Sequence, residues 1–175
     1  MTSDAVPAGD RDSPFWQFSL ALYARPGVAA ACIELQDDAG VDVNVMFYVL
    51  YLAAQLRQID RVDAAHIDAS IKAWREIAVV PLRTLRRRLK SGIEPIAISA
   101  SEALRSAIKR IELDAERIEQ EWLERNVPAA TLGTPATSPL DAARTNLSAY
   151  GALLSALPEA SVAAVLAGFG QTIDA

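Results

Sequence analysis

A single cysteine, Cys32, and a single histidine, His66, stand among the 175 residues, and this scarcity removes several chemistries at once. One thiol cannot close an intramolecular disulfide, so packing alone has to hold the fold. One Cys and one His cannot build a Cys/His zinc cluster or the paired Glu-x-x-His motifs of di-metal bundles, so no metal site and no cofactor are expected. Glycine is sparse as well, with eight residues, none of them in a phosphate-cradling loop or a Gly-x-Ser-x-Gly elbow. No catalytic residue is assigned on this basis, and His66 reads as a helix-surface histidine. Long apolar runs are missing too: Val45 to Ala54 falls far short of the roughly 18–20 residues that span a hydrocarbon core, so no membrane crossing and no membrane partner are expected. Residues 1–12 carry Pro7 and Gly9 and no apolar stretch of the kind a signal peptide needs; they read as a disordered N-terminus, and a reducing cytoplasm is the expected compartment. There is no basic excess. The net charge of −5 disfavours generalised phosphate attraction, leaving nucleic acid to a local patch if it binds at all.

What is present in quantity is hydrophobic sequence at helical spacing. Hydrophobic residues make up 51% of the chain, enough for one sizeable core. Ser13-Pro14 reads as N-cap and first helical residue of a helix running to Arg25, with Phe15, Phe18 and Leu22 on one stripe and Trp16, Leu20 and Tyr23 widening it. Pro26 is expected to open a second helix, carrying Val28, Ala31, Cys32 and Leu35 inward and stopped by Gly40. Asp42 then caps a third, which from Val45 to Leu52 has no polar face and is therefore expected at the centre of the fold. Asp63 is expected to cap a fourth helix with Ile67, Ile71, Trp74 and Ile77 inward, ended or kinked at Val80-Pro81. Leu82, Leu85 and Leu89 continue an apolar stripe. The longest helix runs from about Ser99 to Arg125, with Leu104, Ile108, Ile111, Ala115, Ile118 and Trp122 as a heptad-like seam. Residues 126–138, with Pro128, Gly133 and Pro135, read as a flexible loop; Ser138-Pro139 starts another helix, and Glu159 to Phe169 a last short one. No strand periodicity is evident. The fold class is all-α, one helical domain over residues 13–170, as a bundle of about seven helices around a central apolar helix.

Two constellations could carry function. Gln36, Asp37, Asp38, Asp42 and Asn44 cluster where the second helix ends and the third begins, a polar joint that could hold a ligand or simply cap the helices. Asn44 either satisfies backbone groups in the first turn of its helix or awaits a ligand, and Gln36 and Asn44 are placed to face each other across the bend as a small amide network. The second constellation is electrostatic. Seven basic residues stand against one acid from Lys72 to Lys90, with Arg83, Arg86, Arg87, Arg88 and Lys90 at its heart, and six acids stand against one base from Glu112 to Glu124. The two segments could meet as an antiparallel pair, or the arginines could face an anionic partner.

Phe15 to Val28, the Leu35-Gln36-Asp37 and Gly40-Val41-Asp42-Val43-Asn44 block, Trp74, the Pro81-Leu82-Arg83 step with Arg86-Arg87, and Glu112 to Arg117 together resemble an uncharacterised proteobacterial helical family, the domain of unknown function DUF2390. That resemblance covers most of the chain from Phe15 onward and implies relatives rather than a reaction. The reading that best fits the missing chemistry is a non-enzymatic cytoplasmic helical protein that binds another protein or itself. Two alternatives remain open: a small enzyme or ligand-binding protein using the 37–44 joint, and a nucleic-acid-linked regulator acting through residues 83–90. A cavity at Asn44 would favour the former.

Overall fold

The computed structural model describes residues 13–154 and 156–175; the N-terminus expected to be disordered lies outside them. Eight α-helices occur among the described residues: α1 (Pro14–Tyr23), α2 (Val28–Ala39), α3 (Val43–Ala54), α4 (Arg61–Trp74), α5 (Val80–Arg88), α6 (Ile98–Asn126), α7 (Pro139–Gly151) and α8 (Glu159–Ile173). A π turn, Arg75–Val79, joins α4 to α5 without a break. The protein is all-α. Two strands of two residues each, β1 (Arg57–Gln58) and β2 (Thr134–Pro135), pair antiparallel, too short for any alternation to show in the sequence. No single helix among the described residues is long and apolar enough to cross a membrane.

The chain forms two compact units, one from the residues up to Asp68 together with Gln120–Ala175, the other from Ala69–Glu119. In the first, α3 is the central element. It packs on α7 and α1 and beside β1, while α8 packs on α2, α1 and α7. Val45, Phe47, Val49, Leu50 and Leu52 are all shut off from solvent, as a helix with no polar face requires. Ser13 caps α1 by accepting from the Trp16 N–H, and Glu124 of α6 closes the same end, taking the Ser13 hydroxyl at 2.6 Å and the Phe15 N–H at 3.0 Å. Phe15 and Leu22 face inward, whereas Leu20 and Tyr23 stay on the surface. α1 ends at Tyr23 rather than Arg25, and α2 begins after Gly27, not at Pro26. Gly40 terminates α2 in the left-handed conformation.

The segment 126–138 is tied down by contacts within this unit. Ala129–Thr131 forms a 3₁₀ turn, β2 pairs with β1, and the Arg57 guanidinium donates to the carbonyls of Leu132 and Gly133. Gly133 has φ +55°, and a Cβ there would meet the Gln58 carbonyl oxygen at 2.1 Å, so the strand crossing needs glycine for both backbone angle and space. Asn146 of α7, fully buried, accepts from the Ile59 N–H and donates to the carbonyls of Val49 and Arg57. One amide thereby satisfies the main chain where α3 turns into β1.

From α4 to α6 the sequence reading needs three corrections. The helix cap is Asp60, which receives the N–H groups of Val62 and Asp63, while Asp63 reaches back to the Asp60 N–H as the reciprocal partner of a capping box. Val80 is helical, at φ −62° and ψ −44°, despite preceding Pro81; the helix absorbs proline by widening to a π turn, which relieves the crowding of the ring against the preceding turn. That turn adds one residue to the helical period. The inward positions after Ile71 therefore fall on Val79, and Ile77 is left on the surface. The seam of α6 is also rotated from the expected one. Ser101, Ile108, Glu112, Ala115 and Glu119 are buried, while Leu104, Ile111 and Ile118 are 53%, 50% and 44% exposed. Trp122 is likewise on the surface rather than in a seam.

Candidate functional site

The polar joint between α2 and α3 does not converge. Asp37 and Asp38 are exposed, with Gln36 donating to the Asp37 carboxylate at 3.5 Å. Asp42 is buried and committed: its carboxylate accepts from the N–H groups of Asn44 and Val45, capping α3, and its own N–H donates to the Tyr150 hydroxyl. Asn44 is part of a buried amide pair, but its partner is Gln120 of α6, at 2.8 Å, rather than Gln36. Two open hollows of about 440 and 490 Å³ flank α7, and neither is lined by Asn44 or by the joint's aspartates. Among the described residues no three His, Cys, Asp or Glu side chains could share a metal ion. His66 is exposed, as a helix-surface histidine should be.

The basic segment is split by the fold. Arg83 donates to Glu112 at 3.1 Å and to Glu116 at 2.5 Å; Arg86 donates through Nη2 to Glu112 at 3.1 Å and through Nε to its other oxygen. Both guanidiniums are mostly covered and Glu112 is buried. Two arginines thus clasp one carboxylate in a partly desolvated ladder between α5 and α6, where ion pairs are screened far less than at a surface. The antiparallel meeting of charges that the sequence left open occurs here, on an α6 whose buried face carries Glu112 and Glu119 while Leu104, Ile111 and Ile118 are exposed. Trp74 adds an indole N–H donated to the Ala115 carbonyl at 3.0 Å. Arg87, Arg88 and Lys90 remain on the surface.

The sequence reading named this stripe on α6 as part of a buried seam, and the structure leaves it exposed. Leu104, Ile111 and Ile118 recur every seven residues on α6, a spacing that keeps them on nearly the same side of the helix. Burial pushes the Cys32 thiol up to about 12, keeping it a neutral hydrophobe rather than a nucleophile. Burial and the neighbouring Glu124, which accepts its hydroxyl, push Tyr51 up to about 12 as well.

No match to the chain was found among curated proteins or among solved structures. A family model described as "Protein of unknown function (DUF2390)" matches residues 14–123, which takes in α1 to α5 and nearly all of α6. The match extends over more than half of the chain, across both the polar joint and the arginine ladder, and so the chain belongs to the DUF2390 family.

Proposed function

We propose that the chain is a non-enzymatic, cytoplasmic bacterial protein that works by binding another protein chain. The observation that carries this reading is the exposed heptad line Leu104, Ile111 and Ile118 on α6. A helix gains little by leaving three large aliphatic side chains in water at seven-residue intervals. Such a line is the surface that an amphipathic helix of a partner, or of a second copy, covers. The ligand-binding alternative draws less support, because Asp37 and Asp38 point to solvent and Asp42 is spent on a cap. The nucleic-acid alternative loses Arg83 and Arg86 to Glu112.

The test is capture. The tagged wild-type chain and an Ile111→Asp/Ile118→Asp variant are used as baits in lysate of the native host, and each is run by sedimentation velocity. The reading expects a stoichiometric protein partner, or self-association, with wild type and its loss in the variant at unchanged helical content. A wild-type chain that stays monomeric and captures nothing, or a partner retained equally by the variant, would retire it.

A further inference from the structure

A second exposed feature lies at the tip of the α5–α6 hairpin, away from the line just described and independent of that reading. After α5 the chain passes through Leu89–Ser91, a 3₁₀ turn, and Gly92 in a left-handed conformation, then folds into a tight turn in which the Ile96 N–H donates to the Ile93 carbonyl at 2.8 Å. Ile98 then opens α6 and lies against Gly92. Ile93, Ile96 and Ile98 are 51%, 56% and 70% exposed. Scattered surface isoleucines need no explanation, but three exposed within six residues, two on the turn and one at the start of α6, are a patch. Beside them on the approach to the turn stand the exposed Arg87, Arg88 and Lys90, against one acid within it, Glu94. Leu89 is buried and Ser101 donates to its carbonyl at 3.1 Å, which fixes the turn to the start of α6.

We propose that this tip docks on an anionic lipid surface, with Ile93, Ile96 and Ile98 entering the headgroup–acyl boundary and Arg88 and Lys90 meeting lipid phosphates. The pairing of apolar and basic groups on one turn selects this occupant. Interfacial binding draws on both buried apolar area and attraction to anionic headgroups. A nucleic acid would satisfy the cations and leave the isoleucines against phosphate or water. A second copy meeting tip to tip would bring Arg88 and Lys90 of both chains together. A lipid surface accommodates both groups at once, and only a turn, not a spanning helix, has to enter it.

The experiment is co-sedimentation of the full chain with vesicles of phosphatidylcholine alone and of phosphatidylcholine mixed with phosphatidylglycerol, at low and at high salt. Wild type should pellet with the anionic vesicles, remain in solution with the zwitterionic ones, and be released in part by salt. Ile93→Ser/Ile96→Ser/Ile98→Ser and, separately, Arg88→Glu/Lys90→Glu should each lower partitioning at least about ten-fold, while Val62→Ser, an exposed apolar position on α4, should leave it unchanged. All of these side chains are exposed, and circular dichroism verifies that each variant keeps its helices; the charge reversal stands as the test should the triple serine variant not fold. Wild type left in solution with anionic vesicles, equal pelleting with both compositions, or pelleting that survives both variants would overturn the proposal. So would a wild-type dimer abolished by the serine substitutions in the absence of lipid, because that outcome makes the tip a protein interface.

Discussion

Asn44 illustrates how a polar residue on an apolar helix is resolved by a distant partner. It lies in the first turn of α3, is buried, and is held by Gln120, 76 residues away. Its place on α3 follows from the Asp42 cap, but its partner follows only from where α6 passes. Gly133 is a stricter case, since its left-handed backbone angle and the Gln58 carbonyl oxygen, which an added Cβ would strike, leave no room for a side chain. Gly133→Ala should destabilise the fold by about 2 kcal/mol or more, read as a lowered urea midpoint; a variant as stable as wild type would mean that β1 and β2 do not pair as described. Cys32 offers a test by pH. Its thiol is raised from 9.0 to about 12 in the fold, so the unfolded chain gives up its proton first. That contribution to stability is complete below about pH 9 and is lost as pH rises towards about 12, with Tyr51 adding in the same direction from 10.0 upward. Melting temperatures should therefore begin to fall above pH 9, and Cys32→Ala should move that onset up towards pH 10.

At the scale of the element, α6 is where pattern and structure part. Its apolar residues suggest one seam, yet the buried face keeps only Ile108 and Ala115 of it and takes in Glu112, which receives two guanidiniums. Removing the partners of a buried charge costs more than the pair is worth against water, because the remaining charge is stranded. Arg83→Glu/Arg86→Glu should accordingly destabilise the protein by about 3–5 kcal/mol. Adding Glu112→Gln to that variant should recover part of the loss. Arg87→Glu, at an exposed position on the same helix, should cost less than about 1 kcal/mol. Equal losses for the covered and exposed arginines in chemical denaturation would refute the ladder as the organising contact of α5 and α6. The α4–α5 run makes the same point with a different device, since one π turn shifts the inward face to Val79 and leaves Ile77 in water.

For the whole molecule, the proposed function rests on exposed surfaces, and the 37–44 joint offers a direct contrast. Because Asp37 and Asp38 are exposed and Asp42 is occupied by α3 N–H groups, millimolar Mg²⁺ or Ca²⁺ should leave the melting temperature unchanged, whereas selective binding to the native state would raise it by mass action. A reproducible increase abolished by Asp37→Asn/Asp38→Asn would reinstate the joint as a site. The sequence alone determined the helical class, the Ser13, Asp42 and Ser138 caps, the stop at Gly40 and the burial of α3. All of these depend on local hydrogen bonding or on an apolar pattern with a single solution. Opposite charge on two neighbouring helices made an internal pairing of the basic and acidic segments one of the open readings, and the fold takes it at Arg83 and Arg86. Tertiary structure alone decided that Asn44 pairs with Gln120, that Asn146 closes the corner between α3 and β1, and that residues 126–138 hold a strand. It also decided which side of α6 is buried. These outcomes depend on groups dozens of residues apart competing for the same space, and a helix with two usable faces does not encode which one its neighbour will take; here the face that carries Glu112 is buried against two guanidiniums and the apolar line is left to solvent.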